Sequence, residues 1–150
     1  MLKEPIHILL ADDDIDDSLL FEEALNELLL PTRLTLMNDG EQLMFHLTND
    51  STELPQVIFL DLNLPRKNGF ECLTEIKESQ QLKHLKVIIY STSAEPDYVN
   101  LLFENGAFHY IRKPAEFSQL KRVLEHALQM IDGKDFLQST KEKFIITGDS

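Results

Sequence analysis

The 150-residue chain predicts an α/β domain in which helices cover both faces of a parallel sheet. Three observations carry this reading. Short apolar runs alternate five times with segments of helical period. The first, third and fourth runs are apolar at nearly every position, as in strands buried on both sides. Two of them stop abruptly at carboxylates: Ile6 to Ala11 ends at Asp12-Asp13-Asp14, and Val57 to Leu60 ends at Asp61.

Each element has a local reason. After the first strand, Asp14 to Ser18 supplies helix caps and first-turn acids that favour the positive end of a helix dipole. Leu19, Leu20, Ala24, Leu25 and Leu28 form the expected apolar face of the first helix, which Pro31 closes. Arg33 to Met37 reads as the second strand. Asn38-Asp39-Gly40 then turns into a helix carrying Leu43, Met44 and Leu47. A polar loop from Asn49 to Pro55 precedes the third strand. Gly69 to Gln80 reads as the third helix, with Phe70, Leu73 and Ile76 inward.

Val87 to Tyr90 is the fourth strand and ends in Ser91. Ala94 to Asn105 is the fourth helix, with Pro96 tolerated in its first turn and Gly106 as its stop. Phe108 to Arg112 is the fifth strand and ends in Lys113-Pro114. Glu116 to Ile131 is the fifth helix, where Phe117, Leu120, Val123, Leu124, Ala127 and Leu128 keep a 3.6-residue period. Right-handed crossovers place the carboxyl ends of all these strands on one edge. The domain is expected to span residues 1–132; residues 133–150 read as a loosely held tail with no output domain, docking of its Phe144-Ile145-Ile146 being the other reading.

Composition narrows the function classes. A net charge of −12 and the absence of any Lys/Arg cluster oppose nucleic-acid binding, because Arg66-Lys67 and Arg112-Lys113 are isolated pairs. One cysteine, Cys72, excludes a disulfide within the chain and reads as a core thiol. The first apolar run is too short for a signal peptide or a membrane span, so a soluble cytoplasmic protein is expected. His7, His46, His84, His109 and His126 show no metal-ligand spacing and no phosphodonor pattern.

Chemistry concentrates at the strand ends. Carboxylates gathered there repel one another unless a hard divalent cation sits between them. An acid pair, a single acid, a hydroxyl and a lysine, in that order, make a site for a phosphoryl group. Helix capping is the competing reading of the acids: it suits Asp14, whereas Asp12, Asp13 and Asp61 terminate apolar runs.

These residues resemble the receiver domains of two-component response regulators over roughly Pro5 to Ile131. The matching pieces are Leu10-Ala11-Asp12-Asp13-Asp14, then Asp61-Leu62-Asn63-Leu64-Pro65 with Gly69, then Ser91, then Lys113-Pro114. Ser91 follows Asp61 by 30 residues and Lys113 follows Ser91 by 22, spacings typical of receivers. Leu62 to Pro65 and Ser91-Thr92-Ser93 look like the single-domain regulators that pair with phytochrome-type histidine kinases. The resemblance implies a flavodoxin-like (βα)5 three-layer sandwich with strand order 2-1-3-4-5.

It further implies that Asp61 is the phosphoacceptor and that Mg²⁺ is held by Asp13, Asp61 and the carbonyl of Asn63, with Asp12 acting mainly through water. Lys113 and Ser91 would contact phosphate oxygens. Lys113-Pro114 matches a family cis peptide, or else is a plain surface turn. Tyr110 matches the aromatic switch position of receivers, which works with Ser91; its other reading is an amphipathic edge aromatic. Arg66-Lys67 reads as a solvated loop, or as a pair steering an acidic partner. The expected partners are a histidine kinase or phosphotransfer protein and a downstream protein target. A homodimer through the fourth helix, fifth strand and fifth helix is a further expectation. The rival class is an aspartyl-phosphate-forming, Mg²⁺-dependent phosphohydrolase. Such enzymes carry a second acid two residues after the nucleophile, where this chain has Asn63. The expectation is a signalling domain and not an enzyme.

Overall fold

The structure is a computed structural model that describes residues 4–49, 53–93, 95–132 and 144–146. Its strands are β1 (Ile6–Ala11), β2 (Thr32–Met37), β3 (Val57–Leu60), β4 (Lys86–Ser91), β5 (His109–Arg112) and β6 (Ile145–Ile146). Its helices are α1 (Ile15–Asn26), α2 (Gly40–Thr48), α3 (Gly69–Glu78), α4 (Pro96–Glu104) and α5 (Phe117–Asp132). All pairings are parallel, in the order β2-β1-β3-β4-β5-β6. The expected 2-1-3-4-5 order and three-layer architecture hold, with one strand added at the β5 side.

Strand alternation splits the core in two. Ile8 and Leu10 of β1 face one layer with Phe59, Tyr90 and the α5 residues Val123, Leu124 and Leu128. Leu9 and Ala11 face the other with Ile58, Leu60, Ile89 and the helical residues Leu43, Leu73 and Leu102. A strand covered on both faces has no polar side, so β1 and β3 are buried at every position. Fully burying one such Leu, Ile or Phe side chain contributes about 1.5–3 kcal/mol.

Capping fixes where the helices begin. Asp14 accepts a hydrogen bond from the Asp17 amide at the start of α1, and Asp39 accepts from Gln42 at the start of α2. Asn68 and Glu71 form a reciprocal capping box at α3. Pro96 opens α4, and Gly106, at φ 92°, ends it. The expected start at Ala94 lies outside the described residues.

Two expectations fail. Leu19 and Leu20 do not line the core: they are 57% and 44% exposed, whereas Ala24 and Leu25 are buried as expected, together with Phe21, which the expected face omitted. Two overlapping apolar stripes run along this helix. The one containing Phe21 faces the sheet, where its ring packs edge-on against Phe59 at 5.0 Å and Tyr90 at 5.5 Å. The tail is also not loosely held where it is described. Phe144 is fully buried, and Ile145 and Ile146 pair with Tyr110 and Ile111 of β5. A bare edge strand beside an apolar groove favours a strand that closes both. Residues 133–143 and 147–150 lie outside the described residues.

Candidate functional site

The sheet order brings the strand ends together. The Asp12 amide donates to Met37 O at 3.0 Å and the Asp61 amide donates to Ala11 O at 3.0 Å, so both acids sit one residue past the ladder. Across the next strands, the Lys113 amide donates to Ser91 O at 2.8 Å. Asp12, Asp13, Asp61, Ser91 and Lys113 therefore converge on one edge, although 101 positions separate the first from the last.

Asp12, Asp13 and Asp61 each offer an oxygen, and these oxygens lie within 4.8 Å of one another. Asp12 and Asp61 are buried, whereas Asp13 stands exposed at the rim. An all-oxygen set of this kind suits a hard cation rather than zinc or copper. The carboxylates are tied in place by their own loops. Asp12 Oδ1 accepts from the Asp14 amide at 3.0 Å, and Asp61 Oδ1 accepts from the Asn63 amide at 3.1 Å.

Lys113 faces the outer oxygens. Its ammonium lies 2.8 Å from Asp12 Oδ2, 2.9 Å from Asp61 Oδ2 and 2.9 Å from Asp17 Oδ2. The Asp61 and Asp17 contacts are hydrogen bonds; the Asp12 contact is an ion pair without hydrogen-bond alignment. The side chain is only 8% exposed. Burial opposes its charge, but the three carboxylates more than offset this and hold the amine protonated above its ordinary range. Burial acts the other way on Asp12: loss of hydration pushes its carboxyl up to about 6, against the pull of Lys113.

The Lys113–Pro114 bond is trans, as are all peptide bonds of the described residues, so the expected cis peptide is absent. Lys113 reaches the acids without it, because its amide is already fixed to Ser91 O beside them.

Gly69 holds the Asp61 loop close to α3. A Cβ there would lie 2.3 Å from Asp61 O, and the Gly69 amide donates to Leu62 O at 3.0 Å. Only glycine admits this approach. The same loop leans on α2. Gly40 N donates to Pro65 O at 3.3 Å, and Arg66, at φ 69°, places its guanidinium 3.6 Å from Asp39. Lys67 pairs with Glu75 at 2.6 Å, so this basic pair is bound within the fold as well as solvated.

Ser91 is fully buried at the end of β4, its Oγ accepting weakly from the Ser93 amide at 3.5 Å. Tyr110 is also fully buried, and its hydroxyl donates to Ser93 O. That placement removes the edge-aromatic reading and sets Tyr110 beneath the β4–α4 loop. Burial raises the Tyr110 hydroxyl pKa, so it stays protonated and able to donate. A cavity of about 430 Å³ opens between the loop after Asp61 and the loop after Ser91, lined by Asn63, Leu64, Phe70, Ser91, Ser93 and Tyr98.

Comparison with known proteins decides the family. The response regulator receiver domain model matches residues 8–125. The chain belongs to the response regulator receiver family. It is 33% identical over 125 residues to the response regulator Rcp1 of Synechocystis, covering 81% of this chain and 85% of that one. It is 31% identical over 126 residues to a probable methanogenesis regulatory protein, FilR2, of Methanothrix harundinacea, covering 82% and 81%. The solved phosphorylated cyanobacterial phytochrome response regulator RcpA superposes with a TM-score of 0.80 at 31% identity, over 91% of this chain and all of that one. The Mn²⁺-bound form of Rcp1 gives a TM-score of 0.70 at 32% identity, over 91% and 96%. The flavodoxin-like receiver architecture is thus shared with phytochrome response regulators.

One residue of the site escaped the sequence reading. Asp17 counted there only as a first-turn helix acid, yet it shares the Lys113 ammonium. The signal was available in part. Side chains in the first turn of a helix tilt toward its N-terminus, which here is the strand edge. What the sequence lacked was the position of Lys113.

Proposed function

We propose that this receiver is a phosphorylation switch in which Asp61 accepts a phosphoryl group from a phosphohistidine of a histidine kinase or phosphotransfer protein. The observation that carries this reading is the setting of Asp61. It is a buried carboxylate with one oxygen fixed by the Asn63 amide and the other 2.9 Å from Lys113, beside Asp12 and Asp13. A carboxylate is already ionised at neutral pH and needs no general base. One Asp61 oxygen attacks phosphorus, the P–N bond breaks with its electron pair going to nitrogen, and the ring, already protonated at its other nitrogen, departs as neutral imidazole. Lys113 then shifts its contact from Asp61 to the new phosphoryl oxygens, holding charge where the transition state develops it. Ser91, at the neighbouring strand end, offers a hydroxyl donor.

The donor set fits Mg²⁺, which Asp13, Asp61 and the Asn63 carbonyl would hold, with Asp12 acting through water; when bound it neutralises charge on the transferring group. The Mn²⁺-bound form of Rcp1 supports a divalent ion in this class of site. Asn63 stands where an aspartyl-phosphate phosphohydrolase has its second acid, so the chemistry is confined to phosphorylation and dephosphorylation of Asp61. Output is by protein–protein contact with a downstream target in the cytoplasm. A net charge of −12 leaves no basic face for nucleic acid, and among the described residues no helix is long and apolar enough to cross a membrane. Pairing of two copies through α4, β5 and α5 would include β6, which lies on β5.

The test is intact-mass labelling with phosphoramidate and Mg²⁺. One phosphoryl group should be gained by the native chain and none by Asp61→Asn or in the presence of a chelator. Undiminished labelling of Asp61→Asn would overturn the assignment.

A further inference from the structure

The described part of the tail packs against Tyr110. Phe144 is fully buried between α4 and β5, its ring 5.2 Å from Phe103 and 6.4 Å from Tyr110. Its carbonyl is the hub of two contacts: the Tyr110 amide donates to it at 3.1 Å, and His109 Nδ1 lies 3.0 Å away. An imidazole nitrogen facing a carbonyl oxygen must carry the proton, which fixes the tautomer and seals the strand junction. The ladder then continues through Tyr110 opposite Ile145 and Ile111 opposite Ile146.

The same Tyr110 reaches the other way into the site. Its hydroxyl donates to Ser93 O, and the Ser93 amide in turn points at Ser91 Oγ at 3.5 Å. Phe144 therefore packs against the Tyr110 ring from the α4 side of β5. With Phe144 seated, the Tyr110 hydroxyl reaches the Ser91–Ser93 turn.

We propose that the tail strand is a clamp in which Phe144 is a positioning residue: it locks Tyr110 inward and so prearranges the Ser91–Ser93 turn for the phosphoryl ligand. The proposal rests on Asp61 being the phosphoacceptor. The energetic logic is linkage: if inward Tyr110 favours the loaded site and seated Phe144 favours inward Tyr110, loading and tail docking strengthen each other equally.

The experiment titrates the full chain, with Mg²⁺ present, with beryllofluoride as the phosphoryl mimic, followed by ¹⁹F NMR, and repeats this for Phe144→Ala, Phe144→Leu, Tyr110→Ala and the Phe144→Ala/Tyr110→Ala pair. Phe144→Ala should bind about five-fold more weakly, at the low end of site-to-site coupling, and Phe144→Leu should recover part of the loss. In the Tyr110→Ala background, removing Phe144 should change affinity by less than about two-fold, because the path through the ring is gone. Amide exchange at residues 109–111 and 144–146 should slow when the native chain is loaded. Equal affinity of native and Phe144→Ala proteins, or an equal loss with and without Tyr110, would overturn the clamp while leaving Asp61 as acceptor. No binding by the native chain would overturn both. If Phe144→Ala unfolds, Phe144→Leu decides: native affinity and native exchange in that variant would overturn the clamp.

Discussion

In Lys113→Ala the ammonium shared by Asp12, Asp17 and Asp61 is removed, leaving Asp12 and Asp61 buried and like-charged within metal-ligand distance of each other. Breaking a buried ion pair by deleting one partner costs about 3–5 kcal/mol. Asp17 adds little, because its side chain is a third exposed and screened by water. The loss is capped by protonation. Burial already pushes the Asp12 carboxyl up to about 6 against the pull of Lys113, so in the variant, freed of that pull, it takes up a proton more readily even at about pH 7.5 and holds the loss to the low end of that range. The expected destabilisation is therefore about 3 kcal/mol at that pH without divalent ion, a fall in Tm of roughly 6–12 °C. The sign with pH follows from the raised carboxyl pKa. Between about pH 4 and pH 7 the folded variant binds more protons than the unfolded chain, so its stability rises as pH falls. Added Mg²⁺ should restore stability at neutral pH by taking over the lost positive charge. Urea unfolding at about pH 7.5 and about pH 5.5, with and without Mg²⁺, measures all three. A loss under about 1 kcal/mol, or one that neither acid nor Mg²⁺ reduces, would refute the electrostatic account of the site.

Three other outcomes follow from the same structure. Mg²⁺ affinity should fall as pH drops through about 6, because protonated Asp12 no longer contributes charge or water-mediated contact; calorimetric titration across that window, with proton release on binding, checks it. Gly69→Ala should cost about 2–3 kcal/mol and impair phosphoryl uptake, since its Cβ would meet Asp61 O at 2.3 Å; native labelling kinetics would show the loop has room. Cys72 should resist thiol reagents in the folded chain, because burial pushes its pKa up to about 12; rapid stoichiometric modification at mild pH would contradict its placement under Gly40 and Lys67.

The elements and the acids were legible in the sequence because both depend on local order. Apolar runs ending in Asp12-Asp13 and Asp61 announce buried strands and their edge, and the later helices announce themselves by period. The spacing of Ser91 and Lys113 placed them at equivalent strand ends, and the structure sets them there. Asp14 as a cap and Cys72 as a core thiol were local readings of the same kind.

What depended on distant partners was not legible. The face that α1 buries was decided by where the sheet meets it: Phe21 fits between Phe59 and Tyr90, so Leu19 and Leu20 turn outward despite equal hydrophobicity. Asp17 became part of the site only because Lys113, 96 positions away, folds onto it. The described part of the tail is three apolar residues, Phe144, Ile145 and Ile146, which by themselves cannot offset the entropy of ordering a strand. They dock because β5 presents an unpaired edge and the α4 groove accepts the Phe144 ring. The sequence by itself determined the layers and the chemistry at their edge, since periodicity and strand-end residues are properties of neighbours in the chain. Only the tertiary structure decided which charges share Lys113 and which residues pack against Tyr110, since those depend on surfaces that exist after the chain has folded.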